Sequence, residues 1–207
     1  PCFPDGRRMR NLPPPVLLSG RVIGILGGSF NPAHEGHRHI SLYALKHLGL
    51  DAVWWMVSPQ NPLKPARGMA KFEARIKSAQ EAARHPKITV TDIEQKLGTR
   101  YTADTLAALK RRYPDTTFIW LMGADNLRQI QRWKNWQKIF ASARVAVLDR
   151  PPRKNTIKGS AAGTRFAGRL MPQESARALK KEPLPAWTIL HIPLNDASST
   201  ALRKKKG

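Results

Sequence analysis

The sequence predicts an α/β domain with a doubly wound, three-layer, mostly parallel sheet. Apolar runs of strand length alternate with amphipathic runs of helix length. Several of the strand runs are apolar throughout, as strands covered on both faces are. The segments between them have the length of right-handed crossovers.

The elements follow in order. "RVIGILGG" (Arg21–Gly28) reads as a buried strand ending in a glycine turn. Gly36–Leu50 has helical spacing through Ile40, Ala44, Leu45 and Leu48, with Gly49 as its stop. A second strand is expected over Ala52–Pro59, a helix over Ala70–His85 ended by Pro86, and a third strand over Lys87–Glu94. "TADTLAALKRRYP" reads as a helix and Thr116–Gly123 as the fourth strand. A helical stretch follows over Leu127–Ser142, broken near Trp133. "ARVAVLDRP" and "AWTILHIP" give the fifth and sixth strands. Residues 1–20 are expected to form a disordered tail, and residues 21–207 a single domain. A basic, Pro- and Gly-rich loop insertion is expected near 151–185, with one helix near Gln173–Lys181.

Composition narrows the class. The chain of 207 residues carries 36 Lys and Arg against 14 Asp and Glu, a net charge of +22, which favours anionic partners. No apolar run approaches the roughly 20 residues of a membrane span, and no signal peptide is evident. The single cysteine, Cys2, excludes a disulfide framework, so a reduced, cytoplasmic setting is expected.

The chemistry concentrates in "GGSFNPAHEGH" (Gly27–His37), where the first strand gives way to the first helix. Open α/β sheets bind ligands beyond the carboxyl ends of their strands. Gly27 and Gly28 permit close backbone approach, and His34 and His37 flank a helix start whose free N–H groups can receive phosphate. Neither G-x-G-x-x-G nor G-x-x-x-x-G-K-[ST] is present, and the His spacing does not match H-E-x-x-H. Spacing alone leaves a phosphate site, a structural turn and a metal site open. Near the other end of the chain, Ser198, Ser199 and Thr200 precede Arg203. Hydroxyls and a guanidinium at a helix start form a second anion receptor, or else an ordinary N-cap.

These two stretches resemble the paired signatures of the nucleotidyltransferase superfamily, G-x-F-x-P-x-H-x-G-H and I-S-S-T-x-[IL]-R. "NPLKP" (Asn61–Pro65), "TRYTADTL" (Thr99–Leu106), "FIWLMGADNLRQIQRWKNWQKIF" (Phe118–Phe140) and "VAVLDRP" (Val145–Pro151) resemble the bacterial nicotinate-nucleotide adenylyltransferases. The resemblance implies a Rossmann-like nucleotidyltransferase fold. It also implies adenylyl transfer from ATP to nicotinate mononucleotide, giving deamido-NAD and pyrophosphate. Mg²⁺ is implied, held mainly by the ATP phosphates, with no metal ligand assigned in the chain.

Site residues are implied in the same way. His34, His37 and Arg203 would be catalytic, stabilising charge on the phosphates, although the two histidines could instead pack or cap the helix. Gly27, Gly28, Ser29, Phe30, Gly123, Asp125, Ser199 and Thr200 would join them around ATP. Asp125 could alternatively cap a helix. Lys64, Tyr101, Thr102 and Trp133 would bind the acceptor, unless Lys64 is a solvated loop lysine; Trp133 would stack on the pyridine ring, unless it packs in the core and Trp136 takes that part. His39 reads as structural. Asn31 stands where the family most often has Asp, Ala197 where it has Ile, and Arg100 where it has Ser. Rival readings are an adenylyltransferase for nicotinamide mononucleotide or phosphopantetheine, and a nucleic-acid-binding protein whose affinity would fall steeply with salt. No specific nucleic-acid or membrane partner is expected.

Overall fold

The computed structural model describes residues 15–59, 68–150, 157 and 159–192. Seven parallel strands form one sheet in the order β3-β2-β1-β4-β5-β7-β6. They are β1 (Val22–Gly28), β2 (Ala52–Val57), β3 (Ile88–Thr91), β4 (Thr117–Gly123), β5 (Arg144–Asp149), β6 (Leu170–Met171) and β7 (Trp187–His191). The chain runs from β1 outward to β3, then returns to β4 on the other side of β1. This reversal opens a crevice at the carboxyl ends of β1 and β4, the usual ligand position in such sheets. Register brings Gly27 beside Met56 and Leu26 beside Leu121.

Alternating side chains split the core into two layers. Ile23, Ile25, Trp54, Met56, Phe118, Trp120, Met122, Val145, Val147 and Trp187 face one layer. It is covered by α3 (Ile93–Lys96), α4 (Thr102–Arg112), α5 (Ala124–Arg128), α6 (Trp136–Ser142) and α7 (Ala161–Arg165). Leu26, Val53, Trp55, Val57, Ile119, Leu121, Ala146, Leu148 and Leu190 face the other, under α1 (Glu35–Leu48), α2 (Phe72–Ala83) and a 3₁₀ segment over Gln173–Lys181. The expected three-layer doubly wound fold is therefore present. Gly49 ends α1 in the left-handed region (φ 62°), its N–H reaching Leu45 O, as the sequence predicts. No helix among the described residues is long and apolar enough to cross a membrane.

Three segments depart from expectation. The third strand stops at Thr91, because the Thr91 hydroxyl accepts the Ile93 N–H (3.1 Å) and turns the chain into α3. Within the expected tail, Pro15–Leu18 forms a 3₁₀ turn docked on the domain: Leu18 O accepts from the Thr116 hydroxyl (2.7 Å), and Gly20 N–H donates to Asp115 O. The rest of that stretch lies outside the described residues. The expected basic loop near 151–185 is largely packed structure from residue 159 onward. Trp187 Nε1 donates to Phe166 O (2.8 Å), Ala176 and Leu179 are buried, and the Arg144 guanidinium clasps Leu179 O and Glu182 O. Its small apolar residues fill a gap that its charges conceal in the sequence. The expected break near Trp133 is real: a 3₁₀ turn over Ile130–Arg132, extended Trp133, then α6.

Candidate active site

The turn after β1 carries the signature. Phe30 adopts φ 46°, rare for a non-glycine residue, and its ring stacks on Trp55 with centroids 5.2 Å apart. His37 lies against the same ring at 4.8 Å and against His34 at 3.9 Å. Both histidines cap α1. His34 Nδ1 accepts the Gly36 N–H (3.1 Å), and His37 Nδ1 accepts the His34 N–H (3.3 Å). This is the reciprocal box that Ser and Glu make in other helices, built from imidazoles. With each Nδ1 accepting, a neutral ring carries its proton on Nε2, where it is a donor. Burial, reinforced by the charge of Arg150, pushes His34 down to about 4, so it stays neutral at pH 7. Capping and ligand binding are thus compatible, since they use different nitrogens. Ser41 fixes the frame: its hydroxyl accepts from Trp55 Nε1 (2.8 Å) and donates to His37 O (2.8 Å).

A buried arginine holds the surrounding loops. Arg75 on α2 is 2% exposed, and its guanidinium donates to Ser29 O (2.8 Å), Ser58 O (2.7 Å), Pro59 O (2.7 Å) and Ala70 O (3.1 Å). The loops after β1 and β2 and the approach to α2 are thereby tied to one side chain. Desolvation lowers the Arg75 pKa from its usual value. Asn31 adds a second tie, donating Nδ2–H to Gly68 O (3.0 Å) and accepting the Ala70 N–H (3.1 Å). An ionised aspartate could not make the first of these bonds, so the departure at Asn31 has a structural use.

On the other side of the turn lies a cavity of about 300 Å³. Gly27, Gly28 and Trp120 form part of its lining, with Tyr101, Thr102 and Trp133. Gly27 is required here, because a Cβ would collide with the Trp120 ring. Tyr101 is the N-cap of α4, so backbone N–H groups of that helix start belong to the same wall. Arg100, Arg132 and Lys134 also line the cavity, and Lys134 Nζ sits 4.5 Å from the Tyr101 ring centroid. Trp133 meets Trp120 edge-on at 6.4 Å.

The structure brings most of the predicted residues to this edge of the sheet. Gly27, Gly28, Ser29, Phe30, His34 and His37 form the turn, and Tyr101, Thr102 and Trp133 line the cavity beside it. Trp136 is buried against Phe140 and Phe166, whereas Trp133 lines the cavity together with Trp120. Gly123 ends β4 and is itself the N-cap of α5, so Asp125 is not the cap; it is exposed in the first turn. A Cβ at Gly123 would collide with the Asp125 carboxylate. Lys64, Ser199, Thr200 and Arg203 lie outside the described residues. Described structure reaches Ile192, whose N–H bonds Asp149 O at the same carboxyl edge.

Sequence reasoning missed Arg75 and Glu94. Arg75 reads as one of many surface cations, yet it shares the buried stripe of α2 with Ala79 and Ala83 at spacings of four, a signal that was available. Glu94 reads as the end of a strand, but it is buried on α3 at the cavity wall.

The chain's similarities agree with this geometry. Residues 25–205 match the cytidylyltransferase-like family model. A protein of Cereibacter sphaeroides, named a probable nicotinate-nucleotide adenylyltransferase, is 50% identical over 182 residues, covering 88% of this chain and 96% of that protein. One of Ruegeria pomeroyi with the same name is 47% identical over 193 residues, covering 93% and 90%. Among solved structures, the Plasmodium falciparum nicotinic acid mononucleotide adenylyltransferase complexed with NaAD superposes with a TM-score of 0.62 at 20% identity, covering 89% of this chain and 83% of that one, a likeness of fold. The sheet order, the imidazole-capped turn and these relatives place the chain in the cytidylyltransferase-like family, among the nicotinate-nucleotide adenylyltransferases.

Proposed function

We propose that the protein transfers the adenylyl group of ATP to nicotinate mononucleotide, releasing pyrophosphate and forming deamido-NAD. The observation that carries this reading is the adjacency of the turn and the cavity, which share Gly27, Gly28 and Ser29. A triphosphate on the turn and a pyridine ring in the cavity would bring acceptor phosphate and α-phosphorus together. The acceptor oxygen attacks that phosphorus in line and pyrophosphate leaves, so no protein nucleophile is needed. Catalysis then rests on positioning and fixed donors. The Nε2–H groups of His34 and His37 would contact the phosphates, joined by Ser199, Thr200 and Arg203. Asp125 would accept from ribose hydroxyls. Tyr101 and Thr102 would present N–H and hydroxyl donors to the ring carboxylate, Trp133 would stack on the ring, and Lys64 would meet the acceptor phosphate.

Mg²⁺ would enter as part of the ATP substrate. Among the described residues no three His, Cys, Asp or Glu side chains converge as a cage. Both Nδ1 atoms and the Asn31 amide are committed to backbone bonds. Phosphate oxygens and water would hold the ion. The reaction is expected in the cytoplasm.

Pyrophosphate release with ATP and each of nicotinate mononucleotide, nicotinamide mononucleotide and phosphopantetheine tests the reading. Strong preference for nicotinate mononucleotide is expected. Equal kcat/KM for the acid and the amide would contradict the Tyr101 and Thr102 assignment.

A further inference from the structure

Among the described residues, five buried side-chain polar atoms have no hydrogen-bond partner; Arg38 Nε and His39 Nε2 lie on α1, and the other three belong to residues lining the cavity beside the turn: Ser29 Oγ, Glu94 Oε2 and Trp120 Nε1. Buried polar atoms are almost always paired, so this cluster marks a place where a ligand completes the bonding. Glu94 differs from the other two because it can carry charge. It is 3% exposed. Its Oε1 lies 3.4 Å from the Thr105 hydroxyl, whose single proton is shared between that oxygen and Tyr101 O (3.1 Å). The carboxyl is therefore linked through one hydroxyl to the N-cap of α4, beside Thr102.

We propose that Glu94 is a proton-linked selectivity element of the acceptor cavity: its neutral form favours a ring bearing a carboxylate, and its ionised form favours a ring bearing an amide. The inference rests on the adenylyl-transfer reading and deepens it. A neutral carboxyl has one O–H to donate to the ring carboxylate. An ionised one repels that carboxylate but accepts from an amide N–H. Burial pushes the Glu94 carboxyl up to about 7, against hydroxyl bonds from Ser58 and Thr105 that favour the charged form. The other ionisable groups on the cavity wall are Arg100 and Tyr101 before α4, and Arg132 and Lys134 beside Trp133. On α3 itself Asp92 and Lys96 pair with each other (2.6 Å), and Asp104 lies in the first turn of α4. The three cations draw either anion toward the mouth, while Glu94 sets which ring substituent the interior accepts.

The test is the ratio of kcat/KM for nicotinate over nicotinamide mononucleotide between about pH 6 and 9. Both acceptors carry the same phosphate, so its titration (pKa about 6) cancels in the ratio. The wild-type ratio is expected to fall about tenfold or more across this range, one pKa unit of coupling being a tenfold effect. In Glu94→Gln the ratio is expected to stay within about twofold. Thr105→Val, which removes a bond to the charged form, is expected to move the inflection to higher pH, and it serves if Glu94→Gln does not fold. A wild-type ratio that does not change with pH overturns the proposal, as does an unchanged slope in Glu94→Gln. Absence of turnover with both acceptors overturns the adenylyl-transfer reading, and the proposal with it.

Discussion

The turn after β1 has two flanks, and they are finished to different degrees. On the α1 flank the groups at the turn itself close on one another: Trp55 bonds Ser41, Ser41 bonds His37 O, and the two imidazoles cap the helix, the unpaired Arg38 Nε and His39 Nε2 following on α1. On the cavity flank Ser29, Glu94 and Trp120 keep buried polar atoms that no described residue satisfies. The contrast follows from the tasks proposed for them. Donors that stabilise developing charge must be aimed before the substrate arrives. A selecting surface gains from incomplete bonding, because a wrong ligand leaves buried groups unpaired.

The sharpest way to break the contrast is at the finished flank. His37→Ala is expected to lower turnover by about 10² or more, as loss of a preorganised donor does, with a far smaller effect on folding. Near wild-type pyrophosphate release from a folded variant would remove the histidines from the chemistry.

Arg75 belongs to both flanks, since it ties the Ser29 carbonyl to the loop after β2. Arg75→Met keeps much of the volume and leaves four carbonyls without their donor. At about 1–3 kcal/mol for each buried unsatisfied group, a loss of about 3 kcal/mol or more is expected in urea unfolding. Arg75→Lys should recover only part of it, because an ammonium cannot span the same fork of acceptors. Full stability in Arg75→Met would mean that the loops hold themselves.

A further effect, gradual in pH, distinguishes the flanks by proton linkage. His34 is depressed to about 4 from 6.5, so the unfolded chain binds its proton more readily. Its contribution to stability is complete above about pH 6.5 and is lost as pH falls toward 4. Glu94 is raised to about 7 from 4.5, so here the folded chain binds the proton, and stability declines as pH rises between those values. Between about pH 4.5 and 6.5 the two slopes oppose each other. Replacing Glu94 by Gln removes the declining one. The stability of that variant relative to wild type is therefore expected to rise with pH from 4.5 to 7, by at most about 1.4 kcal/mol per unit. A pH-independent difference would show that Glu94 titrates normally.

Much of this was legible in the chain. Continuous apolar runs with period-two faces announce the parallel sheet, and Gly49 and Pro86 mark helix ends. The Tyr101–Thr102 and Trp133 segments, which line the cavity, were legible through their resemblance to the family, and the turn through its glycines and histidines as well. What the sequence hides is long-range. Arg75 gains its meaning from carbonyls 16, 17 and 46 residues away along the chain. Glu94 looks like the end of a strand until the Thr91 hydroxyl turns the backbone and buries it. The stretch near 151–185 reads as a basic loop with one helix near Gln173–Lys181, because its cations outnumber the few small apolar residues that seat it from residue 159 onward.

Both margins of the sheet are short, four residues at β3 and two at β6. Each presents few free main-chain groups on which an extended segment from outside could template itself. With a net charge of +22, two copies also repel one another at a distance. The same topology that gathers a binding crevice at the middle of the sheet thus leaves its rims poor sites for aggregation.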